Sequence, residues 1–157
     1  MSELHITERI LALLKERNLD FRIVEHEPTK SSAESAKVRG TPLSSGAKAL
    51  LTVREDGNPV LAVLPADQRL DLKKLAAAVD ASVVRMASST ELEAITGLQK
   101  GAVPPLGRLM EIETVFDTAW AYAQEAAFNC GSRSLSIVMR SEDLIEVEKP
   151  KMEDISE

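Results

Sequence analysis

The sequence predicts an α+β fold: a single compact domain spanning residues 1–157, with a mixed, largely antiparallel β-sheet flanked by helices. Three observations carry this. Helix-periodic and strand-periodic segments are interleaved without a steady β-α-β alternation. The segments 47–53 and 60–64 are apolar and joined through Arg54-Glu55-Asp56-Gly57-Asn58, where Asp-Gly supplies a hairpin turn. A chain of 157 residues that is 44% hydrophobic can bury one core without disulfides or metals.

Each element follows from its local pattern. Ile6, Ile10, Leu11, Leu13 and Leu14 recur at helical spacing and predict an amphipathic helix over 6–18. Phe21 and Ile23 alternate with polar residues over 20–25, a strand that Pro28 stops. A short helix over 32–38 takes Ser31 or Ser32 as N-cap and ends before Gly40, placed where a left-handed residue closes a helix. After the hairpin, Leu72, Leu75 and Val79 share a helical face over 71–79, and 82–86 reads as a short strand. Ser88-x-x-Glu91 is a capping box opening a helix through Ile95 that stops at Gly97. Alternation predicts a strand over 109–115, and 117–122 reads as a helical turn or irregular link. Strands over 126–128 and 135–139 flank the turn Cys130-Gly131-Ser132, and Ser141 to Ile145 begins like a capped helix. The acidic stretch 147–157 is expected to fray.

Composition excludes several function classes. A net charge of −6, from 25 acidic and 19 basic residues, argues against wrapping nucleic acid, and no DNA partner is expected. One RNA end remains within reach of local basic residues at Lys73, Lys74, Lys100 and Arg108. The lone Cys130 forms no internal disulfide, and there is neither a secretory leader nor a membrane-length apolar run, so a reducing cytoplasm is the expected location. No metal or cofactor is expected: His5 and His26 stand far apart and no Cys-x-x-Cys pair exists. No Gly-x-Ser-x-Gly elbow supports serine catalysis.

Three polar interruptions remain, each beside a strand. Lys48 follows Gly46-Ala47 and opens an apolar run, so its stem lies near the core while its ammonium reaches a cavity or solvent. On spacing alone an exposed strand-edge lysine is the commoner case. The loop Gly101-Ala102-Val103-Pro104-Pro105-Leu106-Gly107 is stiffened by two prolines, suiting a platform whose Gly101, Ala102 and Val103 N–H groups face a ligand, and equally a rigid connector. Asn129-Cys130-Gly131-Ser132 is explained by a hairpin turn alone. Cys130 has no neighbouring histidine and reads as a small buried apolar residue. His26 sits in a loop before Pro28, as a packed histidine or a pocket residue.

Taken together, Gly46-Ala47-Lys48-Ala49-Leu50-Leu51, Leu61-Ala62-Val63-Leu64-Pro65, Leu70-Asp71-Leu72-Lys73-Lys74-Leu75-Ala76, the 101–107 loop and Gly131-Ser132-Arg133-Ser134-Leu135 resemble the YbaK-like family of prolyl-tRNA synthetase editing domains and their free-standing relatives. The likeness runs in order from about His26 to Ile145. It implies a deacylase, acting in trans, that hydrolyses the ester joining a wrong amino acid to the terminal adenosine of tRNA. The implied partners are the acceptor end of mischarged tRNA and an aminoacyl-tRNA synthetase. It also implies that Lys48 contacts the terminal nucleotide or the ester and that the backbone of Gly101, Ala102, Val103 and Pro105 fixes the aminoacyl group. Asn129, Gly131 and Ser132 would form the opposite wall, with His26 and Thr29 in a variable specificity region. Some relatives carry an acidic residue where this chain has Ser136, which bears on substrate identity. Two rival functions are a non-catalytic module binding aminoacyl-tRNA or a synthetase, and a small-molecule esterase.

Overall fold

A computed structural model describes residues 3–157. Helix α1 (Glu3–Glu16) buries Ile6, Ile10 and Leu14, one residue per turn, while its exposed face carries charge. Strand β1 (Phe21–Glu25) and helix α2 (Ser32–Arg39) follow. The Ser31 side chain accepts from the Glu34 N–H, and Gly40 closes α2 at φ 70°, as its lack of a Cβ permits. The hairpin forms from β2 (Ala47–Arg54) and β3 (Pro59–Pro65). Helix α3 (Leu72–Ala78), capped by Asp71, leads to β4 (Val84–Met86). Both bonds of the Ser88–Glu91 capping box are present at the start of α4 (Ser89–Thr96). Strands β5 (Glu113–Asp117), β6 (Glu125–Asn129) and β7 (Leu135–Arg140), helix α5 (Ser141–Glu148) and strand β8 (Lys151–Glu153) complete the chain.

The strands divide between two sheets, β1-β7-β6 and β4-β2-β3-β5-β8. The first is wholly antiparallel, and the second is antiparallel on its β4-β2-β3 side and parallel where β5 joins β3 and β8 joins β5. A bridge between Gly46 and Ala127 ties the sheets at one corner. Strand β3 is buried on both faces: Leu61 and Val63 enter the main core with Phe116, Trp120, Phe128 and Ile137, while Val60 and Ala62 enter a second core with Leu75, Val115 and Ile155. This is why its sequence is continuously apolar rather than alternating.

Three expectations are corrected. The strand expected over 109–115 begins only at Glu113, because Gly107–Met110 forms a 3₁₀ turn and Glu111 adopts φ 57°. Backbone bonding decides it: the Arg108 N–H is held by the Glu148 carboxylate and the Ile112 N–H by the Gly107 carbonyl. Gly107 must be glycine here, since a Cβ would lie 1.8 Å from Thr114 Oγ1 and 2.7 Å from the Ile112 oxygen. The acidic end does not fray. Strand β8 pairs with β5, Ile155 is fully buried, and its N–H donates to Asp117 Oδ1 at 2.9 Å. Finally, Ser141 does not cap α5: Arg140 occupies that position without a side-chain cap bond, and the Ser141 hydroxyl is buried without a partner.

Candidate active site

A cleft of about 590 Å³ opens where the two sheets meet, between the start of α2, the start of β2, the loop after α4 and the end of β6. Five cationic side chains line it: Lys30, Arg39, Lys48, Lys100 and Arg133. No carboxylate does, although the chain carries net charge −6. This segregation gives the cleft a local potential opposite in sign to the whole molecule.

Lys48 comes from β2, paired with Leu64 of β3, and its Nζ donates to the Gln68 carbonyl at 2.6 Å. One of three ammonium protons is thus engaged and the head is fixed. Burial first, then Arg69, lower its pKa below the usual lysine value, against an opposing pull from Asp67. Across the cleft, Gly101 adopts φ 90° and its carbonyl accepts from Asn129 Nδ2 at 2.6 Å. The Ala102 carbonyl accepts from the Gly131 N–H at 2.9 Å, so the loop after α4 is clamped twice to the β6–β7 turn. The hydroxyls of Thr29 and Ser35 share a 2.6 Å hydrogen bond on a third wall, beside Ser31 and Ser32.

Behind these groups lies a polar network centred on Arg39, the last residue of α2, which is only 7% exposed. Its Nε donates to Ser136 Oγ at 2.9 Å and its Nη2 to Asn129 Oδ1 at 3.2 Å. Burial alone pushes its pKa down to about 10, and no carboxylate pairs with it among the described residues. The Ser136 hydroxyl also lies 3.0 Å from Asn129 Oδ1 and 2.8 Å from His26 Nε2. A buried guanidinium neutralised only by dipoles is costly in isolation and becomes favourable when an anion enters beside it.

The structure therefore brings Thr29, Lys48, Gly101, Val103 and Asn129 together at one cleft. His26 and Ser136 do not line it: Ser136 is bonded to Arg39 and Asn129 behind the wall, and His26 to Ser136. Ala102, Pro105, Gly131 and Ser132 do not line it. The Ala102 N–H is engaged by the Gln99 carbonyl at 3.0 Å, so the donor row expected from this loop is interrupted there. Ser132 Oγ instead accepts from the Ser134 N–H, closing the turn. Of the basic residues grouped from sequence, only Lys100 reaches the cleft: Lys74 pairs with Asp154, and Arg108 bonds the Glu148 backbone. The sequence pattern marks neither Arg39 nor Arg133 as a site residue: Arg133 lies inside the Gly131-Ser132-Arg133 string, whereas Arg39 reads as an ordinary solvated cation at a helix end.

The model of the aminoacyl-tRNA editing domain matches residues 26–147, from the His26 strand exit to the end of α5. The chain belongs to this family. Among relatives, the multifunctional Ser/Thr-tRNA deacylase ProXp-y of Escherichia coli K12 is 34% identical over 149 residues, covering 92% of this chain and 89% of that protein. The prolyl-tRNA editing protein ProX of Acetoanaerobium sticklandii is 29% identical over 147 residues, covering 90% of each. A crystal structure of a protein named only as hypothetical superposes with TM-score 0.85 at 26% identity, covering 94% of this chain and 99% of the other. This editing domain thus shares its fold along nearly its whole length, and the cleft lies within the matched region. Among its described residues no helix is long and apolar enough to cross a membrane, and no cluster of His, Cys, Asp or Glu is arranged to hold a metal ion.

Proposed function

We propose that the cleft hydrolyses the ester of mischarged aminoacyl-tRNA in trans, with water as the nucleophile and the protein supplying position and electrostatics. The observation that carries it is an all-cationic, carboxylate-free cleft with a fixed ammonium facing a stiff glycine-bearing loop. An aminoacyl ester is already activated, and the vicinal ribose hydroxyl assists the incoming water, so no protein nucleophile is required. Water adds to the carbonyl carbon, the carbonyl electron pair moves onto oxygen, and collapse of the adduct expels the ribose oxygen, which takes up the proton. Lys48 and the Gly101 and Val103 N–H groups serve the developing oxyanion; Arg39, Arg133, Lys30 and Lys100 serve the phosphates. Each oxyanion donor supplies about 2 to 4 kcal/mol of barrier reduction.

Thr29, Ser31, Ser32 and Ser35 give the cleft a hydroxyl-rich wall. Small side chains with their own hydroxyl, serine and threonine, fit that lining, in line with the substrates named for the E. coli relative. Handover of mischarged tRNA from a synthetase in the cytoplasm belongs to the same proposal, and a discharge assay with and without the synthetase checks it.

The decisive experiment is a discharge assay on a panel in which amino acid and tRNA are varied independently, with wild type and Lys48→Ala side by side. Wild type is expected to clear Ser- or Thr-tRNA, and Lys48→Ala to lose roughly 100-fold or more in rate with unchanged thermal stability. A Lys48→Ala protein turning over near the wild-type rate contradicts the proposed chemistry. Binding of charged tRNA without any turnover replaces the hydrolase by a recognition module.

A further inference from the structure

A second cleft of about 550 Å³ lies against the first, lined among others by Ser44, Ser45, Asp67, Gln68, Tyr122 and Glu125. The two share a wall. Gly46 and Ala66 face the cationic cleft, while Ser45 and Asp67, their chain neighbours, face the second. Gln68 links them physically: its carbonyl fixes Lys48 Nζ, and the residue lines the second cleft.

Tyr122 is the unusual member. The chain has one Trp, one Tyr and three Phe. Trp120, Phe116 and Phe128 are fully buried and Phe21 is half-buried, whereas Tyr122 is 89% exposed. Nor is it on a loose loop. It follows the 3₁₀ turn Thr118–Ala121, which Asp117 caps through the Ala119 N–H at 2.9 Å and Trp120 anchors in the core. The Tyr122 N–H itself donates to the Ala119 carbonyl at 3.1 Å. An exposed ring on a rigid support is a stacking platform for a nucleobase.

The rest of the lining suits a base and not its phosphate. Asp67 and Glu125 repel a phosphate, but each accepts from an exocyclic amino group, and Ser44, Ser45 and Gln68 present hydroxyls and an amide to a base edge. We propose that the second cleft takes an unpaired, amino-bearing base immediately preceding the terminal adenosine, stacked on Tyr122, while the phosphates follow the cationic cleft. At the common 3′ end of tRNAs that base is cytosine. The inference rests on the deacylase reading of the first cleft for its geometry, and it adds a recognition element that no catalytic group supplies.

The test has two arms. In the binding arm, a fluorescein-labelled single-stranded RNA tetranucleotide ending in CCA is titrated by anisotropy. Tyr122→Ala is expected to weaken binding roughly 5- to 30-fold, Tyr122→Phe to retain it within about twofold, and a UUA end to bind more weakly than CCA to wild type. In the kinetic arm, the ratio of kcat/KM on seryl-tRNA to that on seryl-adenosine should fall by a similar factor in Tyr122→Ala, through KM. A Tyr122→Ala protein that matches wild type in both arms overturns the inference. If wild type hydrolyses no aminoacyl ester yet Tyr122→Ala weakens the tetranucleotide, the platform stands and the deacylase reading falls. If wild type hydrolyses seryl-tRNA and the ratio is unmoved, the deacylase stands and the platform falls. Wild type that binds neither RNA overturns both.

Discussion

At the residue scale, the two groups that most invite a catalytic role are separated by their surroundings. The Lys48 ammonium faces a cleft, held by a single carbonyl with protons to spare. The Cys130 thiol is fully buried beside the Leu135 carbonyl, and burial pushes its pKa up to about 11. A thiol held protonated and away from solvent is no nucleophile at neutral pH. Cys130→Ala should therefore keep wild-type deacylation within about twofold, and iodoacetamide should label the native protein far more slowly than the unfolded one. An inactive but folded Cys130→Ala protein would contradict the water mechanism. The same scale shows what a linear reading of the site can reach. Lys48, Gly101 and Asn129 lie in polar interruptions visible along the sequence, where only the family resemblance gives them a site role, and the structure gathers all three. Arg39 gives no such signal, because its burial depends on Ser136 and Asn129, contacts made across 97 and 90 positions of chain.

At the scale of elements, local chemistry marks most of the boundaries. The Ser31 cap, the Ser88–Glu91 box and the Asp56-Gly57 turn are all short-range devices, so α2, α4 and the β2–β3 hairpin are legible in sequence. The limits of β5 and the whole of β8 are not, since both depend on parallel pairing with distant segments. The 3₁₀ turn before β5 hinges on Glu148, whose carboxylate receives the Arg108 N–H. Glu148 is buried, and desolvation raises its pKa to about 7 from 4.5, against the opposing influence of Arg108 and Thr114. Between those two values the folded chain retains a proton that the unfolded chain has released, so this group's contribution to stability declines as pH rises through the window. Above it, the buried charge costs about 3 kcal/mol, or less with relaxation. Glu148→Gln should flatten that slope and gain stability relative to wild type at pH 8, but not at pH 4.5. Urea unfolding of both proteins at the two pH values checks it, and parallel slopes would show that Glu148 does not titrate in this window.

At the scale of the whole molecule, an acidic protein carries a cleft walled by five cations and no carboxylate. Net charge, which disfavours broad binding to nucleic acid, is thus no guide to what one cleft holds. Lys30, Lys100 and Arg133 lie at its rim, and the Arg133 Nη2 donates to the Thr29 carbonyl at 3.0 Å. Three phosphates of a single-stranded end are about as many as such a cleft can meet, and each phosphate neutralised releases counterions with a slope near −0.7 in log affinity per log salt. Raising monovalent salt from 50 to 200 mM should then increase KM for aminoacyl-tRNA roughly 20-fold. KM for the corresponding aminoacyl-adenosine, which carries no phosphodiester, should change little. The comparison separates an enzyme for nucleic acid from a small-molecule esterase in the same cleft: the esterase would show equally weak salt dependence for both substrates, whereas an RNA-gripping cleft must lose its larger substrate first.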